Sequence, residues 1–202
     1  MTGMRIVGNV THLPTTTFGH RTSMWWGTLG YVVIEGSTLL ICAVAYVYFR
    51  KNFQTWPPER VFRPGLTAAA VQAAIMLLSN WPMVLVDRAA RRLDLRAVQR
   101  GMVLITVLSI AMCVLRGFEF QALNVRWDSN AYGSAAWAVL TTHAILLLLQ
   151  TVETIVFTLL LFSPNLEQRD LSAASDNALY WYFMTGSWIP LAAVVFLMPY
   201  LV

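Results

Sequence analysis

Charge is scarce in this sequence. Asp, Glu, Lys and Arg make up 12% of its 202 residues, whereas a soluble domain carries about a quarter. With 57% hydrophobic residues and a mean hydropathy of +0.59, this shortage excludes an ordinary water-soluble globule. Cysteine is also rare: Cys42 and Cys113 fall in different apolar blocks, which excludes a disulfide framework and leaves them as small buried hydrophobes. No second His or Cys lies one helical turn from His143, so no metal site is expected there. Nucleotide-binding loops, nucleophile elbows and paired-carboxylate hydrolase sites are missing, and no chemistry of its own is expected. There is no internal repeat, low-complexity tract or separate extramembrane domain.

What is abundant is apolar sequence in blocks. A bilayer core of about 30 Å takes about 20 apolar residues as a helix. Five blocks meet or approach that length, at 25–49, 66–86, 101–120, 132–162 and 178–201. No alternating ten-residue pattern of a membrane barrel accompanies them. The expected fold is therefore all-α: a bundle of five transmembrane helices forming a single membrane domain over 1–202. The second block is the least regular, since Gln72, Ser79, Asn80 and Pro82 fall inside it. Pro82 frees a backbone carbonyl that a neighbouring helix must satisfy. The N-terminus lacks the short apolar core and small-residue cleavage site of a secretory signal.

Basic residues favour the cytoplasmic side. With the N-terminus inside, the inner segments hold Arg5, Arg21, Arg88, Arg91, Arg92, Arg96, Arg100 and Arg169, and the outer ones hold Arg50, Lys51, Arg60, Arg63, Arg116 and Arg126. The cluster DRAARRLDLRAVQR weighs most, and it places the N-terminus in the cytoplasm. Arginines at the headgroup layer account for the net charge of +4 without any nucleic acid.

Ionisable residues within a membrane are costly and face the bundle interior or a cavity. Here they are Glu35 in the first helix, Arg116 and Glu119 in the third, and His143 and Glu153 in the fourth. Arg116 and Glu119 are spaced to pair on one helix face. His143, Gln150 and Glu153 recur at spacings of seven and three, which reads as one polar stripe. Glu35 has two readings: a protonated packing group that donates a hydrogen bond across the bundle, or a site that exchanges protons or contacts lipid.

Several spacings together resemble subunit III of the haem-copper (cytochrome c) oxidases. Trp26-Gly27 is followed after seven residues by Glu35, similar to the family's aromatic-Gly opening with an acid the same distance on. WPPE at 56–59 resembles a Trp-Pro-Pro segment of bacterial members. RGFEF stands where the family has Gln-x-x-Glu-aromatic. Tyr132-Gly133-Ser134 with His143 eleven residues after the Tyr matches the family's fourth-helix opening, and YWYFMTGSW resembles its Tyr-Trp-His-Phe-x-Asp-x-x-Trp. Trp26, Tyr132, Trp181 and Trp188 make up the family's aromatic frame. Four positions depart from the pattern: Arg116 replaces a Gln, Leu146 a second His, Tyr182 a His and Thr185 an Asp.

The resemblance, running from about Trp25 to the C-terminus, implies a divergent bacterial five-helix member, without the first two helices of the seven-helix form. It implies a cofactor-free accessory subunit that packs on catalytic subunit I and other oxidase subunits of the respiratory chain, with haem and copper held by those partners. It further implies phospholipid in a cleft, support of stable turnover and proton uptake, and a location in the bacterial cytoplasmic membrane. Glu35 stands at the family's carbodiimide-reactive acid. On this reading Gly27, Gly30, Gly36 and Ser37 would allow close helix approach, and Trp25, Trp26, Trp56, Tyr180 and Trp181 would sit at the membrane interfaces. Two alternatives stay open. One is a subunit III-like partner of a nitric oxide reductase. The other is a stand-alone proton-linked transporter using Glu35, His143 and Glu153, although the sequence lacks a transporter's repeat symmetry.

Overall fold

A computed structural model describes residues 17–164 and 166–201, apart from the side chains of residues 168 and 169. Arg5 and the Arg169 side chain, both counted above among the inner cations, lie outside the described part. Five helices are long and apolar enough to cross a membrane: α1 (Ser23–Asn52), α2 (Leu66–Arg91), α3 (Leu95–Ala122), α4 (Ala131–Leu160) and α5 (Ser172–Ala192). The last span continues through a π turn at Ala193–Leu197 and a 3-10 turn at Met198–Tyr200. At 30 residues each, α1 and α4 are about 45 Å long and extend beyond the hydrocarbon layer. No strand is found among the described residues.

Three helices start on side-chain caps written in the sequence. Thr22 accepts from Trp25 N at 3.1 Å, Asp94 from Ala97 N at 3.1 Å, and Asn130 from Gly133 N at 2.8 Å. Such caps satisfy N–H groups that the helix cannot, and are typically worth about 1 kcal/mol each. Helix α2 runs through Pro82 without breaking. Its own polar residues serve the preceding turn: Ser79 Oγ and Asn80 Nδ2 donate to Met76 O, and Asn80 Nδ2 also reaches Leu77 O. Thr185 on α5 then donates to Asn80 Oδ1 at 2.9 Å. The polar residues that made this block irregular thus bond within their own turn or to a neighbouring helix, Gln72 Nε2 donating to Met112 O on α3 at 3.2 Å.

The helices run up and down, and cross-links at each end define which termini are neighbours. At one end Arg91 bonds Ser175 and its guanidinium lies 5.6 Å from the Phe18 ring, while Gln99 donates to Leu161 O. This brings together the starts of α1, α3 and α5 and the ends of α2 and α4. At the other end Gly65 N donates to Ala122 O, Tyr200 Oη to Pro64 O, and Trp56 Nε1 to Tyr46 Oη. Helix α2 packs between α3 and α5, α4 packs on α3, and α1 lies outermost against α4 and α5. Accordingly α1 buries only Leu39 and Tyr46.

Close packing falls on glycines other than those expected. A Cβ at Gly101 would lie 2.3 Å from Val86 Cγ2, and one at Gly133 would lie 2.2 Å from Arg126 O. On α1, nothing lies within 4 Å of a Cβ at Gly27 or Gly30, Ser37 is exposed, and only Gly36 meets a neighbour, Phe183, at 3.4 Å. The small residues of α1 therefore open space rather than close it. The cysteines are half-buried and face α4 hydroxyls, Cys42 at 3.7 Å from Thr142 Oγ1 and Cys113 at 3.2 Å from Thr151 Oγ1.

Candidate functional site

A groove of about 670 Å³ separates the first half of α1 from α4 and α5. Each helix contributes a stripe at helical spacing: Gly27, Thr28, Tyr31 and Glu35 from α1, Gln150, Glu153 and Phe157 from α4, and Ala173, Asp176, Asn177 and Tyr180 from α5. Steps of three and four residues keep side chains on one helix face. All three stripes belong to the membrane side where α1 and α5 begin and α4 ends.

Glu35 is half-buried on the groove wall rather than enclosed among helices. The Tyr180 hydroxyl donates to its Oε2, so the acid receives the bond across the bundle. Glu153 is exposed on the same groove, and Gln150 is buried behind it, with its Nε2 donating to Thr154 Oγ1 at 3.2 Å. Asn177 reaches the same hydroxyl at 3.4 Å.

The fourth-helix stripe therefore divides. His143 is fully buried on the far side of α4, between α3 and α5. Ten residues at about 100° per residue turn Glu153 roughly 80° from His143, enough to place the two on different interfaces. His143 Nδ1 lies 3.0 Å from Arg116 Nη2, and its Nε2 lies 3.1 Å from Met184 O. A guanidinium only donates and a carbonyl only accepts. His143 is therefore the neutral tautomer with its proton on Nε2, linking three helices.

Arg116 and Glu119 form a buried ion pair at 2.7 Å, and the guanidinium stacks 4.0 Å from the Trp188 ring centroid. The Glu offsets the charge, and the indole face adds a cation–π contact. Where the resembled family carries Gln, this chain has built a closed, charge-balanced clamp. Arg116, counted above among the outer cations, is withdrawn into the bundle and contributes nothing to the surface.

Aromatic residues expected at the interfaces divide likewise. Trp26 is exposed at the rim, its Nε1 donating to His20 O at 3.0 Å, and Trp25 stacks edge-on against it. Trp181 is instead in the core, donating to Ser79 Oγ at 3.1 Å. Tyr132 and Trp188 are fully buried, and Trp56 is enclosed by Tyr46 and Tyr132. The reason for Tyr180 and Trp181 is the start of α5. It begins at Ser172 rather than near residue 178, which sinks both residues by more than a turn.

Asp176, Asn177 and the role of Tyr180 were missed by the sequence reading. Their spacing of three and four was a usable signal, but SAASDN reads as a loop on hydropathy alone. Structure keeps it helical because its polar groups have neighbours. Ser175 Oγ donates to Asp87 Oδ1 at 2.5 Å, and Arg91 holds both residues.

The fold and site define a polytopic membrane protein of five helices with a lateral polar groove. Over 189 residues, 89% of this chain, it is similar at 23% identity to the protein named cytochrome c oxidase subunit 3 of Synechocystis sp., of which 78% is covered. No family model matches the chain.

Proposed function

We propose that the chain is a cofactor-free accessory subunit of a respiratory haem-copper oxidase, in the position of subunit III, in a bacterial cytoplasmic membrane with its N-terminus inside. The observation that carries this reading is the similarity to a cytochrome c oxidase subunit 3 along nearly the whole chain. Two features of the chain support it. Outward apolar faces, such as Val33, Leu40, Ile41 and Val44 on α1 and Val103, Val107 and Val114 on α3, leave broad surface for a catalytic subunit. The α1–α4–α5 groove, with apolar walls and a polar floor, suits a phospholipid between helices. Haem and copper belong to the partner subunits on this reading. Glu35, Gln150 and Glu153 are the candidates for lipid contact or proton support, and His143 ties α4 to α3 and α5.

Purification through a tag on this chain in mild detergent, followed by an optical spectrum, tests the proposal. Haem bands with stoichiometric larger subunits are the expected result. A colourless chain, pure and alone under gentle conditions, would overturn it.

A further inference from the structure

We infer that a crevice between the start of α3 and the end of α4 binds an anionic phospholipid, its phosphate on Arg96 and Arg100 and an acyl chain along the two helices. The site is separate from the α1–α4–α5 groove and does not depend on what fills that groove. Arg96, Gln99, Arg100 and Val103 on α3, with Phe162 just past α4, enclose about 420 Å³. Arg96 and Arg100 stand one turn apart on one helix face, with Cβ atoms about 5–6 Å apart. Gln99 is already engaged: its Nε2 donates to Leu161 O at 2.7 Å, which pins the end of α4 beside the arginines.

Both guanidiniums are exposed, and neither makes an ion pair or a side-chain hydrogen bond among the described residues. The neighbouring Arg91, by contrast, is held by Asp87 and Ser175. Among the described residues no carboxylate lines the crevice. Asp94, the acid nearest in sequence, caps α3 by accepting from Ala97 N. The lining therefore presents two guanidiniums without a counter-charge, each a planar fork of donors that fits phosphate oxygens in pairs. A net-anionic headgroup gains from both charges. A zwitterionic one also brings an ammonium, which the crevice has no acid to receive.

The apolar half of the crevice points to a lipid rather than a free phosphate. Val103 and, seven residues on, Ile110 share one face of α3, and Phe162 and, three residues earlier, Leu159 share one face of the α4 end. All four are exposed. The seam beside them is closed by Thr106 against Thr158 at 2.9 Å and by Cys113 against Thr151 at 3.2 Å. An acyl chain would thus lie along the seam without passing between the helices. Both arginines belong to the first two turns of α3, at the headgroup level, and the apolar strip runs inward from them, in the order of a phospholipid. Val103 also belongs to the α3 face offered to a catalytic subunit, so a subunit docked there would border the lipid. The lining comes from α3 and α4 alone, so the chain without partners carries the complete site.

The full chain is synthesised without partners into nanodiscs of equimolar phosphatidylglycerol and phosphatidylcholine with identical photoreactive acyl chains. Peptide mapping by mass spectrometry then counts which lipid crosslinks to Val103, Ile110, Leu159 and Phe162. Phosphatidylglycerol is expected there about tenfold over phosphatidylcholine, the order set by two arginines near an anionic lipid, and less so as salt screens them. Arg96→Gln with Arg100→Gln, at exposed sites where folding is not at stake, should bring the ratio close to one. Arg88→Gln with Arg92→Gln removes the same charge from the same end but outside the crevice, and should leave the ratio unchanged. Val103→Trp keeps both charges and fills the crevice, and should cut crosslinking at Leu159 and Phe162 severalfold. Equal crosslinking by the two lipids, or equal loss from the two arginine pairs, would replace the site with general surface charge. Crosslinks by neither lipid at these residues would overturn the crevice itself. Displacement of phosphatidylglycerol by soluble glycerol phosphate would overturn the lipid assignment in favour of a free phosphate. Oxidase membership is read separately, from the haem spectrum.

Discussion

Tyr180 on α5 donates a hydrogen bond to Glu35 on α1, tying the outermost helix to the body of the bundle at the wall of the groove. Hydrogen bonds between membrane helices average about 0.6 kcal/mol and reach about 1.7. Tyr180→Phe should therefore destabilise the chain by about 0.6–1.7 kcal/mol in reversible unfolding in detergent. Glu35→Gln keeps a carbonyl acceptor and should cost less than half as much. Equal losses would show that an amide carbonyl cannot replace the carboxyl as acceptor for Tyr180. In an assembled oxidase, Glu35→Gln should leave subunit stoichiometry unchanged. A fall in proton uptake with assembly intact would give Glu35 a role beyond packing.

The Arg116–Glu119 clamp makes a sharper claim. Removing one member of a buried ion pair strands the other and costs about 3–5 kcal/mol, whereas replacing both with apolar residues of similar volume is often close to neutral. Arg116→Met alone and Glu119→Leu alone should each be severely destabilising, and the double variant much less so. A double-mutant cycle measures the coupling directly. Additive losses would mean that Trp188 and His143 hold the guanidinium without help from Glu119.

Much of this architecture was legible in the residues. Apolar run length is enough to find α1 to α4, because the bilayer fixes how long such a run must be. The pairing of Arg116 with Glu119 followed from their spacing. Hydropathy could not find the first turns of α5, since it sums residues without knowing which face is buried. Ser175, Asp176 and Asn177 are polar by composition yet buried against α2 and the groove. Nor could a spacing rule separate His143 from Glu153, because the angle between them matters only once α1 and α3 are placed on different sides of α4. The glycines of α1 were misread for a related reason. A small residue signals close approach only where another helix arrives.

Two glycine positions give opposite expectations for rescue. Gly101→Ala drives a methyl into Val86 Cγ2, the tip of a side chain, and overpacking of this kind costs about 1–3 kcal/mol. Val86→Ala should restore much of the loss by making room. Gly133→Ala meets the backbone carbonyl of Arg126, which no side-chain truncation moves. Val125→Ala should therefore fail to rescue Gly133→Ala in the same thermal unfolding measurement. Rescue at both sites would mean that the loop before α4 yields more readily than its contacts with Ser134 and Trp137 allow.

Orientation in the membrane follows from which cations reach the surface. Arg21, Arg88, Arg91, Arg92, Arg96 and Arg100 gather at the end where α1 begins, and all are exposed. At the opposite end Arg116 is buried against Glu119, and Arg126 is neutralised by Asp128 at 2.9 Å. The Arg126 guanidinium also holds the Asp128 carboxyl below its ordinary range, which keeps that loop charge-balanced. Burial of Arg116 removes one cation from the opposite end, and the preference of Lys and Arg for the cytoplasm leads us to expect the α2–α3 turn inside. Alkaline phosphatase fused after Leu93 should be inactive in a bacterial host, and fused after Trp127 it should be active. The reverse pattern would invert the bundle and place the groove at the outer leaflet.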